Sequence, residues 1–167
     1  MKEILFIGDI IASQISMYVS KEQNRNIKRL ISNTSHDLIS LSDSNLELTG
    51  IDEIWYSMGY SDFNSLSRIE FHGFKDRIEN DIKQILSHNL PVLFIIPLLP
   101  SIVETDKEYI KTYNNVLDSI EEIISQYDIN FFDLSDILDQ ENINSSYGIN
   151  DEGLSKIIDY ILVENLI

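Results

Sequence analysis

The sequence predicts a three-layer α/β/α sandwich around a parallel sheet of roughly five strands. Short apolar runs alternate with longer segments of helical periodicity along the whole chain. Parallel strands require long crossover connections, and helices in those connections cover both faces of the sheet. With 167 residues the chain has the length of one domain, and no stretch has the composition of a linker. We therefore expect residues 1–167 to form a single α/β domain.

Strands are predicted where a short apolar run ends at a glycine, a proline or polar residues. Such runs occupy residues 3–7, 51–58, 91–96 and 129–134. Another strand is expected between residues 26 and 41, where two registers compete. Residues 26–31 and residues 37–41 both fit a strand, and the pattern does not choose between them.

Helices are predicted at residues 10–22, 74–88, 107–127 and 152–166. Their apolar side chains recur at helical spacing, as Ile78, Ile82 and Ile85 do in the second of them. Asn150 or Asp151 is expected to cap the last helix, because either side chain can accept a backbone N–H.

Composition and charge exclude several functions. The chain has 28 acidic and 12 basic side chains, a net charge of −16, which disfavours nucleic-acid and anionic-membrane partners. Cysteine is absent, and neither a glycine-rich phosphate loop nor a His-x-x-x-His spacing occurs. We therefore expect no metal and no cofactor. The apolar runs are too short for a membrane span or a secretory signal, so a cytoplasmic location is expected.

The candidate site lies at the carboxyl ends of the strands, where doubly wound sheets bind ligands. The stretches there are Gly8-Asp9-Ile10, Gly59-Tyr60-Ser61-Asp62, residues 97–100 and the residues after Leu134. In order and position they resemble those of the SGNH, or GDSL-type, ester hydrolases over residues 2–167. In that family the first stretch is Gly-Asp-Ser and the second Gly-x-Asn-Asp, and a final Asp-x-x-His block corresponds to residues 145–153. The resemblance implies the flavodoxin-like strand order 2-1-3-4-5.

The departures from the family pattern remove its chemistry. Ile10 stands where the resemblance places the nucleophilic serine, and Gly148 and Ser145 stand where it places the catalytic histidine and its aspartate. Ser61 replaces the asparagine of the oxyanion hole, and Asn33 stands at its glycine. Serine-triad enzymes lose about 10⁶ in kcat without nucleophile or base. We therefore predict a degenerate relative, a bacterial pseudoenzyme that acts as a binding or scaffold protein, alone or as one subunit of a complex.

Two catalytic alternatives stay open. Ser61 or Ser35 with His36 could replace the lost nucleophile and base, giving an esterase, deacetylase or acyltransferase. Asp9 and Asp62 could face each other as an acid/base pair or a hard-cation site. The competing structural interpretation is that both aspartates accept backbone N–H groups at turns and helix starts.

An aromatic rim over the crevice is the remaining hypothesis. Its members would be Tyr60, Phe63, Phe71 and His72. A rim of this kind suits a sugar or an acyl group as ligand. The alternative is that these side chains pack in the core or under a lid. Separately, a protein is the other class of partner expected, in place of a small ligand.

Overall fold

The structure, a computed structural model, describes residues 3–23, 26–32, 48–64, 73–99, 107–144, 148–164 and 166. Its centre is a five-stranded sheet in which every neighbouring pair of strands is parallel. The strands are β1 (Ile4–Gly8), β2 (Ile27–Ile31), β3 (Glu53–Ser57), β4 (Val92–Ile96) and β5 (Asn130–Asp133). They lie in the order β2-β1-β3-β4-β5, which confirms the predicted fold class.

Helices fill the crossover connections. They are α1 (Ile10–Gln23), α2 (Tyr60–Asn64), α3 (Phe74–Ser87), α4 (Lys107–Tyr127) and α5 (Asp151–Val163). The short α2 was not predicted, because five residues are too few to display a helical period. Asn150 caps α5 as expected, its Oδ1 accepting the N–H of Gly153 at 2.9 Å. In the part of the chain that the structure describes, no helix is both long and apolar enough to cross a membrane.

The second strand adopts the first of the two competing registers. β2 begins at Ile27 and pairs with β1 at the edge of the sheet, whereas residues 37–41 lie outside the described residues. A small antiparallel pair, β6 (Ile143–Asn144) and β7 (Gly148–Ile149), precedes α5. It was not predicted, because strands of two residues leave no alternation to detect.

Side chains from both faces of the sheet pack against helices. The adjacent Trp55 and Tyr56 on β3 point to opposite faces, as successive strand residues must. On one face the Trp55 ring lies 6.3 Å from that of Phe132, which lies 5.7 Å from Tyr160 of α5. On the other face the Tyr56 hydroxyl donates to Asp81 of α3 at 3.0 Å. The layers are therefore helix, sheet and helix.

The last residue of β1 has to be glycine. A Cβ added to Gly8 would overlap the carbonyl oxygen of Ser57, and its φ of +154° is one that side chains rarely permit. The absence of a side chain lets the ends of β1 and β3 approach closely. As a result the residue after Gly8 lies against the residues that follow β3.

Candidate site at the carboxyl ends of the strands

Asp9 joins the two central strand ends. Its side chain is fully buried, and its Oδ1 accepts the N–H of Ile11 at 3.0 Å while Oδ2 accepts the N–H of Ser61 at 2.9 Å. Its own N–H donates to the carbonyl oxygen of Ser57 at 3.1 Å. The carboxylate thus satisfies N–H groups at the first turns of α1 and α2 that no intrahelical acceptor can reach. This geometry favours the structural interpretation of Asp9 over an acid/base role.

The described residues do not test the pairing of Asp9 with Asp62 as an acid/base pair or a hard-cation site. Asp62 belongs to α2, at the same end of the sheet, but its side chain lies outside the described part of the structure. Among the described residues, no group of three or more histidine, aspartate or glutamate side chains could hold a metal ion. The pairing of Asp9 with Asp62 therefore stays a prediction.

Ser61 and Ile10 come together at this end of the sheet. Ile10 is the first residue of α1 and packs, half-buried, against the hydrophobic core. Ser61 is tied through its backbone to Asp9, the residue next to Ile10. The stretches that follow β1 and β3 therefore lie side by side at this end of the sheet. Gly59, with φ of +121°, makes the turn from β3 into α2.

Gln14 lies beside Gly148 and Ile149, the two residues of β7. It lies one helical turn beyond Ile10. Its side-chain amide forms hydrogen bonds to the backbone N–H and the backbone C=O of Ile149. Gln14 Oε1 accepts the N–H of Ile149 at 2.9 Å, and Gln14 Nε2 donates to the carbonyl oxygen of Ile149 at 3.1 Å. A Cβ added to Gly148 would overlap Gln14 Oε1, and the φ of Gly148 is +77°. A side chain at position 148 is therefore excluded unless Gln14 moves.

The sequence analysis did not single out Gln14. The available signal is weak: a polar residue lies one helical turn from a motif position, close to the apolar stripe of α1 formed by Ile11, Ile15 and Val19. Its partner Ile149 lies 135 residues away along the chain, so no local pattern indicates the pairing.

Tyr60 and Phe63 do not form an exposed rim. Each is only 2% exposed, and the Tyr60 hydroxyl donates to the carbonyl oxygen of Asn144 in β6 at 2.6 Å. Both rings lie in the hydrophobic core, so at these two positions the packing interpretation describes the structure and the ligand interpretation does not. The physical reason is that α2, which carries both residues, packs against α1 and α4 and lies close enough to β6 for the Tyr60 hydrogen bond.

The remaining site residues named from the sequence lie outside the described residues. They are Asn33, Ser35, His36, Phe71, His72 and Ser145. The hypotheses that depend on them, a relocated catalytic pair and an aromatic rim at Phe71 and His72, stay predictions.

Comparison with solved structures places this fold among known proteins. A GDSL-like lipase from Bacteroides thetaiotaomicron VPI-5482 matches with a TM-score of 0.70 at 13% identity, covering 99% of this chain and 89% of that one. An acetyl xylan esterase matches with a TM-score of 0.71 at 15% identity, covering 99% of this chain and 100% of that one. A catalytic mutant of the acetylxylan esterase of Geobacillus stearothermophilus matches with a TM-score of 0.68 at 14% identity. The match covers 98% of this chain and 93% of that one. No family model and no curated protein matches the chain.

These neighbours and the strand order define the class of fold. The chain has the α/β/α fold of the GDSL, or SGNH, hydrolases, with its five parallel strands in the order 2-1-3-4-5. At identities of 13–15% the likeness concerns the fold, and what the site does has to be argued from its own residues.

Proposed function

We propose that this protein is a non-catalytic relative of the SGNH hydrolases that acts as a binding or scaffold protein. The observation that carries the proposal is the pair of hydrogen bonds between Gln14 and Ile149, which holds Gln14 Oε1 where the Cβ of any side chain at position 148 would lie. The amide is held by two bonds to one backbone unit, so displacing it means leaving a half-buried N–H and C=O unpaired.

The chemistry supports the same conclusion. Ester hydrolysis by the SGNH mechanism requires a hydroxyl nucleophile at the start of α1, a base to take its proton and donors to the oxyanion. Ile10 offers no heteroatom at the first position, and Gly148 offers no base at the second. The carboxylate of Asp9 accepts hydrogen bonds from the backbone N–H groups of Ile11 and Ser61.

The ligand proposed for the crevice is a small molecule with a sugar or an acyl group, with a protein partner as the alternative. Support comes from the neighbours, two of which are acetyl xylan esterases by name. Binding of acetylated xylo-oligosaccharides, followed by calorimetry on the native chain, tests this ligand class. A dissociation constant below about 1 mM supports it, since that corresponds to about 4 kcal/mol of binding free energy.

The proposal is tested by restoring the missing groups. The native chain is compared, in an assay with p-nitrophenyl acetate, with a variant carrying Ile10→Ser, Gln14→Ala, Ser61→Asn, Ser145→Asp and Gly148→His. Gln14→Ala is included because the new histidine would otherwise overlap the glutamine amide. A matched control lacks only Gly148→His.

A silent native chain beside an active restored variant supports the proposal, and the control should stay silent because it has no base. Circular dichroism and a thermal melt establish that each variant is folded. Steady turnover by the native chain overturns the proposal.

A second candidate function, an esterase with relocated groups, is favoured by one observation. Ser61 lies beside Asp9 at the carboxyl ends of the strands. The proteins of similar fold include esterases and a lipase. The candidate nucleophiles are Ser61 and Ser35, and the candidate base is His36. Ser61→Ala leaves the bond to Asp9 intact because that bond uses the backbone N–H. Native turnover that is lost in His36→Ala and in one serine variant identifies this function.

The bacterial cytoplasmic setting and the possibility of a complex remain predictions. Cell fractionation with an antibody to the native chain tests the location. Light scattering across a range of protein concentrations tests the subunit hypothesis, since a mass that grows with concentration indicates self-association.

A further inference from the structure

The outer edge of β5 is open. β5 is the last strand of the sheet, and among the described residues no strand pairs with its outer side. Unpaired N–H and C=O groups along such an edge can bind a further strand, so natural proteins often protect their edges with lysine or proline. β5 reads Asn-Phe-Phe-Asp and contains neither of them.

The hydrogen-bond pattern of the sheet determines which backbone groups of β5 face outward. In a parallel sheet, successive residues of a strand bond alternately to the strands on either side. The N–H of Ile54 donates to the carbonyl oxygen of Pro91 at 2.9 Å, which sets the alternation in β4. The backbone groups of Phe94 therefore bond to β5, where Phe94 is in register with Phe131. As a result the N–H and C=O of Phe131 point away from β4, toward the open edge.

The side chain of Phe131 is the exposed end of an aromatic row. Tyr56, Phe94 and Phe131 are in register across three neighbouring strands and face the side of the sheet that α3 covers. Tyr56 and Phe94 are fully buried, with ring centroids 5.3 Å apart, whereas Phe131 is 54% exposed. An apolar side chain on a strand docked at this edge would cover the Phe131 ring, as cross-strand neighbours do within a sheet.

The surroundings of this edge are acidic. Residues 112–155, which include most of α4, all of β5 and the start of α5, contain ten acidic side chains and no lysine, arginine or histidine. Asp128, two residues before β5, and Asp136, three residues after it, are both exposed. The strand at the other edge of the sheet, β2, contains Lys28 and Arg29 instead. A basic partner strand is therefore expected at β5 and not at β2.

We propose that the outer edge of β5 binds an extended segment of a protein partner, in which an apolar side chain lies between basic ones. The main chain of the segment exchanges hydrogen bonds with Phe131, and its apolar side chain covers the Phe131 ring. Its basic side chains lie near Asp128 and Asp133. The inference rests on the binding function proposed above and names a protein as the partner. A second copy of this chain fits less well, because pairing β5 with itself brings the same acids together.

The test compares two peptides of equal charge. The acetylated and amidated peptide Thr-Lys-Thr-Val-Thr-Lys-Thr is titrated into the native chain in about 0.15 M salt, which screens general attraction, and backbone amide shifts are followed. The control peptide has the same sequence but carries N-methyl groups on its three central residues, so those residues cannot donate a backbone N–H. We expect saturable shifts at residues 129–133, with a dissociation constant of about 0.1–1 mM and binding of the methylated peptide at least about tenfold weaker.

Matched variants locate the binding site. Phe131→Thr keeps a β-forming residue but removes the ring, and should weaken binding about two- to fivefold. Ile31→Thr makes the same kind of change at the other edge, where Ile31 is 38% exposed, and should leave binding unchanged. Asp128→Asn, which suits the φ of +50° at that position, should also weaken binding about two- to fivefold. Asp118→Asn, at an exposed position ten residues earlier on α4, should have less effect.

Thermal melts establish that each variant is folded, and the comparison of the two peptides needs only the native chain. Equal binding of the two peptides overturns the proposal, because it indicates attraction of any cationic peptide to a chain of net charge −16. Shifts along β2, equal weakening by Phe131→Thr and Ile31→Thr, or absence of binding overturn it as well. A native chain that is dimeric by light scattering and becomes monomeric in Phe131→Thr assigns the edge to a second copy instead. The ester and sugar assays concern the crevice at the carboxyl ends of the strands, so their outcome is independent of this one.

Discussion

Asp81 is the clearest place to perturb the stability of this protein. The side chain lies on α3, is 8% exposed, and accepts one hydrogen bond, from the Tyr56 hydroxyl at 3.0 Å. Burial raises the pKa of Asp81 from 3.8 to about 6, and the bond from Tyr56 offsets only part of that increase. A shift of about two pKa units corresponds to about 3 kcal/mol between the two protonation states.

The sign of the effect follows from the direction of the shift. The folded chain holds the Asp81 proton more tightly than the unfolded chain, so the stabilisation from the protonated form is fully present below the unfolded pKa of 3.8. It is lost as the pH rises through the folded pKa of about 6. Above that value the native chain carries a buried, ionised carboxylate that the unfolded chain exposes to water.

Asp81→Asn removes the titration and keeps an oxygen for the Tyr56 hydroxyl. We expect the free energy of unfolding of the variant, relative to native, to increase by about 2 kcal/mol between about pH 4.5 and about pH 7.5. The new amide N–H₂ has to be buried, which costs about 1–2 kcal/mol at either pH. The variant should therefore match or fall below the native stability in acid and exceed it by about 1–2 kcal/mol near neutrality.

Urea unfolding at a series of pH values measures this difference, and titrations of other groups cancel because both chains share them. Asp118→Asn, at an exposed position on α4, is the matched control and should stay within about 0.5 kcal/mol of native throughout. A difference between Asp81→Asn and native that does not change with pH would refute the reasoning.

Three further substitutions test contacts that hold the strand ends. Gly8→Ala should prevent folding or cost more than about 3 kcal/mol, because its Cβ overlaps a carbonyl of β3; circular dichroism and urea unfolding measure this. Gln14→Ala should cost about 1–3 kcal/mol by leaving the N–H and C=O of Ile149 unpaired, and hydrogen exchange of the Ile149 amide should accelerate. Tyr60→Phe should cost about 1 kcal/mol in the same unfolding assay, because it removes the bond to Asn144 but keeps the buried ring; no loss would show that the bond contributes nothing.

Much of the fold could be predicted from local patterns. The long helix α4 has the predicted bounds, Lys107–Tyr127, because its apolar stripe is sustained over several turns. β1 and β4 are apolar and fully buried, and β3 is apolar and buried over its three central residues, so their runs are recognisable without knowing their neighbours. The second strand was ambiguous because β2 is an edge strand with mixed burial, and such a strand carries a weaker apolar signal.

The site was predictable in part. The motif positions after β1 and β3 meet at one end of the sheet, as parallel strands require, and the backbone role of Asp9 was among the interpretations offered. The inward orientation of Tyr60 could not be read from the sequence, since an aromatic residue after a strand suits a rim as well as a core. Its burial depends on where α2 and the β6–β7 pair lie.

By itself the sequence determined the class of fold and which residue types are present at each position, because hydrophobic periodicity and residue identity are local properties. It contains no hydroxyl at position 10 and no histidine after His88, whatever the chain folds into. Only the tertiary structure decided which groups lie beside Gly148 at the carboxyl ends of the strands. Gln14 reaches Ile149 because α1 and the residues before α5 pack side by side, a contact between segments 135 residues apart that no local pattern encodes.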